Sequence, residues 1–158
     1  MAPEMRTDEN TTYIPDDIDL AIIRELQADG RLTVRQLAAK VHRSPTPVFE
    51  RLRRLETAGI IKGYTITVDE EKIGKGFTVF CNVKLLRINR EIHREFTETV
   101  AAMDEVAEYF NVSGSFDYML RIQVRDMKSY RNFITDKLGQ LPMLASVESV
   151  FVMDQVKT

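Results

Sequence analysis

The sequence of 158 residues contains one cysteine and two histidines. A single cysteine, Cys81, excludes an internal disulfide, and its place in an apolar alternation predicts a buried strand thiol rather than a nucleophile. No run of about 18 or more apolar residues occurs, which excludes a transmembrane helix. The N-terminus is polar and acidic and has no apolar segment, so residues 1–15 predict a disordered tail and no signal peptide. The protein is therefore expected in the cytoplasm.

The positions of the two histidines also argue against an enzyme. His42 lies in a predicted turn and His93 on the polar side of a predicted helix. Neither has a carboxylate or a cysteine at the spacing of a catalytic triad or a metal site. We therefore expect no catalytic residue, no metal and no cofactor.

The chain as a whole has no excess of positive charge, since its formal net charge is −2. The charge is unevenly distributed, however. Residues 1–30 carry 2 basic and 8 acidic side chains, residues 31–63 carry 8 and 2, and residues 64–158 carry 12 and 14. Phosphate contacts need local rather than global positive charge. The middle block is therefore the candidate for contact with DNA.

Within this block, the stretch S-P-T-P-V-F-E-R-L-R-R-L-E-T-A-G predicts a helix. The hydroxyl of Ser44 can cap it, Pro45 suits its first position and Gly59 suits a left-handed C-terminal cap. An apolar stripe of valine and leucine marks its buried face. The other face carries short polar groups followed by arginines, which is typical of a helix in the major groove, although basic solvated helices are also common. The candidate DNA-binding residues are Arg43, Ser44, Pro45, Thr46, Pro47, Glu50, Arg51 and Arg54.

The segment before this helix strengthens the interpretation. Asp16 or Asp17 can cap a first helix that ends near Asp29. The sequence from Thr33 to Gln36 fits a capping box and begins a second, short helix. Only three residues separate the second apolar pattern from Pro45. Two helices joined by so short a link predict a three-helix, winged-helix-like helix-turn-helix domain over residues 16–62.

Beyond Gly59 the pattern changes to period two. Residues 61–68 are rich in β-forming side chains and predict a strand, and residues 69–76 read as a turn and hinge, so we expect a β-strand linker over residues 63–76. The remainder, residues 77–158, alternates strands and helices. The predicted strands are 77–86, 106–112, 118–124 and 147–156, and the predicted helices are 89–103 and 126–141. This β-α-β-β-α-β order is that of a ferredoxin-like domain, which makes the chain α+β.

One face of the predicted sheet lacks a cover. Both helices of a ferredoxin-like unit lie on one face, yet large apolar groups also lie out of phase with the main buried rows: Phe80, Tyr109, Met119, Val150 and Val152. A second copy of the chain would cover them, and a two-fold dimer would place two helix-turn-helix units on DNA. The alternative is that a β-bulge shifts the phase of a strand.

The segment G-S-F-D-Y, residues 114–118, has two interpretations. Gly114 permits close approach of a ligand, and the carboxylate of Asp117 could accept hydrogen bonds from an α-ammonium group. Neighbouring backbone amides could hold an α-carboxylate. The simpler alternative is a hairpin turn in which Asp117 bonds locally.

These motifs in this order resemble the Lrp/AsnC family of transcription regulators. The resemblance rests on S-P-T-P-x-x-E-R-x-R-R-L-E-x-x-G-x-I-x-G-Y and on G-S-F-D-Y within a β-α-β-β-α-β unit, and it runs from about Ile18 to Lys157. It implies an N-terminal DNA-binding domain and a C-terminal effector-binding and oligomerisation domain. It also implies homodimers that assemble into octamers and a small amino acid as effector, with leucine as a candidate. The implied effector-binding residues are Gly114, Ser115, Phe116, Asp117 and Tyr118, between dimers.

One departure from the family concerns the loop after Pro142. The family commonly has glycine and valine there, whereas this chain has Met143 and Leu144. If the loop borders the effector pocket, these bulkier side chains change which amino acid fits.

The sequence therefore predicts a sequence-specific DNA-binding transcriptional regulator that responds to a small amino acid. An architectural protein that compacts DNA without a ligand is the alternative, because the same basic helix and oligomer would serve it. A pure amino-acid sensor is a third class, and the arginine cluster argues against it.

Overall fold

The computed structural model describes residues 13–156, which divide into two compact units, with the boundary along the chain between Thr67 and Val68. Most of the predicted tail, residues 1–12, lies outside the described residues. Tyr13, which the sequence assigned to that tail, instead packs against the apolar core of the first unit. Within residues 13–156, no helix combines the length and the hydropathy that a bilayer crossing requires.

The first unit consists of three helices: α1, Asp17–Ala28; α2, Val34–Lys40; and α3, Pro45–Thr57. The predicted capping residues begin the first two. The carboxylate of Asp16 accepts hydrogen bonds from the N–H groups of Ile18 and Asp19, and Thr33 forms a capping box with Gln36. Each helix contributes at least one fully buried aliphatic side chain to the core, which contains Ile22, Leu37, Ala38, Val48 and Leu55.

The predicted linker strand is wrong: in the described chain, no strand lies between Thr57 and Phe77. The alternating apolar side chains of Tyr64, Ile66 and Val68 are 54%, 80% and 49% exposed. A strand exists only where a neighbouring strand accepts its backbone hydrogen bonds, and among the described residues no strand pairs with this segment. The turn predicted after this segment is present, and it contains Gly74 at φ 74°.

The second unit contains four strands and two α-helices in the expected order. They are β1, Phe77–Leu85; α4, Arg90–Ala101; β2, Val106–Asn111; β3, Tyr118–Val124; α5, Met127–Asp136; and β4, Leu144–Phe151. The sheet has the order β2-β3-β1-β4, and each neighbouring pair is antiparallel. This topology confirms the ferredoxin-like fold.

Two elements differ by several residues from their predicted ranges. Helix α5 ends at Asp136 and a short 3-10 helix, Leu138–Gln140, follows, whereas one continuous helix to residue 141 was predicted. The chain folds back tightly there, and glycine at position 139 permits this, since a Cβ would lie 2.5 Å from the carbonyl oxygen of Ile134. Strand β4 starts at Leu144 and ends at Phe151, so both ends lie earlier in the chain than predicted. Pairing with β1 ends where Phe151 lies opposite Val79.

The exposed face of the sheet agrees with the prediction except on β2. Phe80 pairs with Val150, and Asn82 pairs with Met119, so these side chains share the face away from the helices. Tyr109 pairs with Leu120, whose side chain is in the core, so Tyr109 lies on the helix side and its assignment to the open face is wrong. The reason is a register shift between Val106 and Glu108, which is the bulge that the sequence left open.

Candidate nucleic-acid interface and ligand-binding loop

The turn between α2 and α3 is held by backbone hydrogen bonds. The N–H of Arg43 donates to the carbonyl of Ala38 over 2.9 Å, and the N–H of His42 donates to that of Ala39 over 3.2 Å. His42 adopts φ 54°, a left-handed conformation that reverses the chain at once. Ala38 is 1% exposed, and its small side chain allows the helices to approach closely. This geometry is a helix-turn-helix.

Helix α3 begins at the predicted residue but without the predicted side-chain cap. Ser44 occupies the N-cap position, and its hydroxyl forms no capping hydrogen bond. An N-cap oxygen accepts from the second or third helical N–H, and the third residue, Pro47, has none. The hydroxyl of Ser44 is therefore available to a ligand.

The C-terminal end of α3 is capped as predicted. Gly59 has φ 69°, its N–H donates to the carbonyl of Glu56, and the N–H of Ile60 donates to that of Leu55. These two bonds form a Schellman motif. The motif fixes where α3 ends and thus the length of the helix.

Most of the candidate residues on α3 and its preceding turn are exposed. Exposed positions are Arg43, Ser44, Pro45, Thr46, Pro47, Glu50 and Arg54. Arg53 is also exposed on this helix and forms no ion pair among the described residues, although the sequence analysis did not select it. It lies three residues after Glu50 and seven after Thr46, so the helical period places the three on one face.

Arg51 is turned away from this face. Its guanidinium donates to the carboxylates of Asp16 over 2.7 Å and Asp19 over 2.9 Å, and its side chain is 22% exposed. The carboxylate of Asp19 is itself 1% exposed. The partners of Arg51 are thus acidic residues of α1 and its cap.

The electrostatics of this network favour its charged form. Burial opposes ionisation of Asp19, yet hydrogen bonds from Tyr13, the N–H of Asp16 and Arg51 lower the pKa of its carboxyl. The N–H of Asp19 and the guanidinium of Arg51 likewise lower the pKa of Asp16. The hydrogen bonds to Asp19 and Asp16 raise the pKa of Arg51.

The second candidate site, residues 114–118, joins β2 to β3. Gly114 has φ 112°, and apart from its two neighbours in the chain no residue has an atom within 4 Å of the place where a Cβ would stand. Ser115 is exposed and Phe116 is partly buried. The start of the segment is therefore a hairpin loop that is open to a ligand.

The carboxylate of Asp117 bonds to the central strand and not within its own turn. Its carboxylate accepts a hydrogen bond from the N–H of Leu85 over 2.8 Å and one from the ammonium group of Lys84 over 3.0 Å. Both partners belong to β1, so the bonding is not local to the turn. The N–H of Leu85, with the help of Lys84 and against the effect of burial, lowers the pKa of this carboxyl. Asp117 therefore fastens the hairpin to the central strand.

Tyr118 lies inside the protomer. Its side chain is 1% exposed, its ring packs against Phe96 with 4.6 Å between centroids, and its hydroxyl contacts the ring of His93. Burial raises the pKa of the tyrosine hydroxyl. Met143 is 7% exposed and belongs to the same core, so its side chain also lies inside the protomer.

Between residues 13 and 156, no three His, Cys, Asp or Glu side chains converge as metal ligands would. Cys81 is buried, as predicted, and its sulfur lies 3.0 Å from the hydroxyl of Tyr130. Burial raises the pKa of the Cys81 thiol, which disfavours a thiolate nucleophile.

Comparisons with known proteins cover both units. Residues 15–62 match the family described as winged helix-turn-helix DNA-binding, and residues 78–158 match the Lrp/AsnC ligand binding domain. The chain is 40% identical over 142 residues to the transcriptional regulator AzlB of Bacillus subtilis, with 90% of each protein covered. It is 38% identical to the leucine-responsive regulatory protein of Escherichia coli, with 90% of this chain and 87% of that protein covered.

The fold is similarly shared. A transcriptional regulator of Neisseria meningitidis, solved as a complex with L-Met, superposes with a TM-score of 0.87 at 31% identity. The superposition covers 92% of this chain and 94% of that chain. The matched part includes both the helical and the sheet unit.

Proposed function

The chain belongs to the Lrp/AsnC family of transcriptional regulators, and we propose that a small apolar amino acid controls its assembly or its affinity for DNA. It is a DNA-binding regulator of this type with a ligand-binding domain. Acting on DNA, it would work in the cytoplasm and without a cofactor. The observation that carries the proposal is the combination of an exposed basic α3 with a separate unit whose hairpin loop is open.

The proposed DNA surface is the N-terminal turn of α3 with its preceding residues. The exposed candidates are retained, and Arg53 is added because it shares a face with Thr46 and Glu50. Arg51 is removed from the surface, because its guanidinium is directed at Asp16 and Asp19 of α1 and its cap. The free hydroxyl of Ser44 and the exposed Thr46 suit contacts with base edges or phosphates, while Arg53 and Arg54 suit phosphates.

Salt dependence of DNA binding tests this surface. We expect Arg53→Met and Arg54→Met each to reduce the slope of log affinity against log salt by about 0.9, since each removes one phosphate contact. Arg131, an exposed arginine on α5, supplies the matched control as Arg131→Met. An unchanged slope for both α3 variants would remove these arginines from the interface.

The proposed effector is a small amino acid with an apolar side chain, with leucine as the first candidate. A Neisseria relative was solved with L-Met and the Escherichia coli relative is named for leucine. Gly114, Ser115 and Phe116 are proposed as direct contacts. Asp117 and Tyr118 are proposed to shape the loop from beneath, because their polar atoms already have partners inside the protomer.

Thermal unfolding against each free amino acid tests the effector. A ligand present at a hundred times its dissociation constant should add about 2.7 kcal/mol of apparent stability per site. A shift with one chemical group of amino acids, reduced by Gly114→Val, would support the loop site. The absence of a shift with any amino acid would contradict the effector proposal.

We propose that the chain forms homodimers through the open sheet face. These dimers are proposed to assemble further, with an octamer as the candidate. Phe110 and Val150 are 48% and 47% exposed on the open face, and Phe80 and Met119 are only partly buried. The proposed domains remain residues 16–62 for DNA, 63–76 for the linker and 77–158 for ligand and assembly. Val150→Glu should yield monomers in sedimentation, whereas unchanged assembly would place the interface elsewhere.

The architectural function remains the second candidate, because exposed arginines and an oligomer serve it equally. A regulator should prefer particular sites over bulk DNA by at least about a thousandfold. Competition of a genomic fragment library against mixed-sequence DNA measures this ratio. A ratio near one would favour the architectural function.

A further inference from the structure

Tyr13 lies at the junction between α1 and the DNA-facing helix. Its hydroxyl donates to the buried carboxylate of Asp19 over 2.5 Å, and the guanidinium of Arg54 lies over its ring at 5.8 Å from the centroid. One side chain therefore contacts the core-side acid of α1 and an exposed arginine of α3.

The orientation of the Tyr13 ring is fixed from below. Asp19 accepts hydrogen bonds from Tyr13, from the N–H of Asp16 and from Arg51, and its side chain is 1% exposed. Because Arg51 is on the same helix as Arg54, this one carboxylate ties both Tyr13 and α3 to α1. The ring thus has a defined place relative to α3.

A fixed aromatic ring beneath Arg54 favours binding of an anion by its guanidinium. An exposed arginine has many rotamers, and ordering it on binding reduces affinity for its target. A guanidinium over an aromatic face is held by the ring quadrupole while its N–H groups at the edge remain available to an anion. The ring therefore restricts the guanidinium of Arg54 without using its hydrogen-bond donors.

We propose that Tyr13 is a positioning residue for DNA binding, whose ring holds the guanidinium of Arg54 ready for a phosphate. The inference rests on the proposed DNA-binding function of α3. It assigns a functional role to a residue that precedes the first helix of the domain.

A double-mutant cycle tests the inference. The variants are Tyr13→Leu, Tyr13→Phe, Arg54→Met and the double variant Tyr13→Leu with Arg54→Met. Affinity for a fluorescently labelled mixed-sequence duplex is measured at low salt by anisotropy, and thermal unfolding of each variant is recorded beside it. We expect Tyr13→Leu to weaken binding about fivefold, the order of an exposed cation–π contact. In the Arg54→Met background it should add nothing.

Tyr13→Phe separates positioning from stability. It keeps the ring beneath Arg54 and loses the hydroxyl that bonds Asp19, so it should lower the unfolding temperature while leaving DNA affinity within about twofold. A merely structural role would make the affinity loss follow the loss of stability in both Tyr13 variants.

Three results would overturn the inference. Tyr13→Leu could leave affinity unchanged, it could weaken binding equally in the presence and absence of Arg54, or Tyr13→Phe could weaken binding as strongly as Tyr13→Leu. In each case the wild-type protein still binds DNA and the proposed function stands. Failure of the wild-type protein to bind the duplex at all would overturn the proposed function together with the inference.

Discussion

The helical and sheet units differ in how much apolar surface they bury. The core of the helical unit contains five buried residues, one of them the small Ala38, whereas the core of the sheet unit contains fourteen. Burial of apolar side chains supplies most of the stability of a domain, and small units bury proportionally less. The helical unit therefore depends more on its other interactions.

Within residues 13–156 each unit buries one aspartate, Asp19 or Asp117, and the two are held differently. Asp19 is bonded by a tyrosine hydroxyl, a backbone N–H and Arg51, which joins two helices. Asp117 is bonded by the N–H of Leu85 and by Lys84, whose side chain is 38% exposed. We therefore expect the buried aspartate of the small unit to matter more to its stability than that of the large unit.

Among the changes proposed here, replacing Asp19 should produce the largest difference in stability loss between the two units. Removing one partner of a buried charge pair costs roughly 3–5 kcal/mol, and we expect about 3 kcal/mol for Asp19→Asn because Arg51 still reaches solvent. Amide hydrogen exchange separates the units: the N–H of Leu37 reports the helical unit and that of Leu120 the sheet unit. Protection of Leu37 should fall while that of Leu120 stays.

Asp17 supplies the control for this experiment. It is an exposed acid in the same first turn of α1, and Asp17→Asn should change neither protection factor appreciably. Equal losses at Leu37 and Leu120 in Asp19→Asn would show that the units unfold together, and the comparison would no longer hold.

Acid should reproduce part of this effect without a mutation. The pKa values of Asp16 and Asp19 are lowered in the folded chain relative to about 3.9 when unfolded. As the pH falls, the unfolded state therefore binds protons before the folded state does. The contribution of the two carboxylates to the free energy of unfolding is complete above about pH 4, and it is lost as the pH falls through the pKa values of the folded state. Protection of Leu37 should fall before that of Leu120 in an acid titration. Asp19→Asn should make the dependence shallower, and an identical acid profile in wild type and variant would contradict the assignment.

The local parts of this architecture could be predicted from the sequence. Thr33 with Gln36, Asp126 and Gly59 occupy the caps expected of them, and the buried row of β1 has the expected phase. Such features depend on residues within about one helical turn or on a strict period of two, so neighbouring letters determine them. The order of elements followed from these local assignments.

The burial of Asp19 and Arg51 was not predicted because their pairing spans two helices. A readable indication existed: Arg51 lies three residues after Val48 and four before Leu55, which puts it beside the buried stripe. An arginine in that position requires an acidic partner. The partner itself, 32 residues away, could be identified only once α1 and α3 were packed.

Features that depend on pairing between strands were also missed. Residues 61–68 alternate like a strand, yet a strand needs a neighbour, and within residues 13–156 none pairs with them. The place of Tyr118 in the core, rather than in the loop site, depends on where the hairpin ends and β3 begins.

Cap substitutions should affect the two units equally and so define the limit of the comparison. Thr33→Ala in the helical unit and Asn89→Ala in the sheet unit each remove a side-chain cap bond, and each should cost about 1 kcal/mol. Ser44→Ala should cost close to nothing in stability, because its hydroxyl caps no N–H. Chemical denaturation monitored at the Leu37 and Leu120 amides measures all three. A cost for Ser44→Ala equal to that of Thr33→Ala would contradict the missing cap.

The smallest effect is expected where the sheet unit loses the cation beside its buried aspartate. Lys84→Met leaves Asp117 bonded to the N–H of Leu85, and a partly exposed lysine contributes little, so the expected loss is about 0.5 kcal/mol at the Leu120 amide. Lys84→Arg, which keeps the charge, is the control and should behave as wild type. Arg51→Met, the corresponding change in the helical unit, should cost more because the carboxylate of Asp19 is almost fully enclosed. If Lys84→Met costs as much as Arg51→Met, core size does not decide how strongly a unit depends on its buried charge, and the contrast between the units must instead arise from the geometry of each pair.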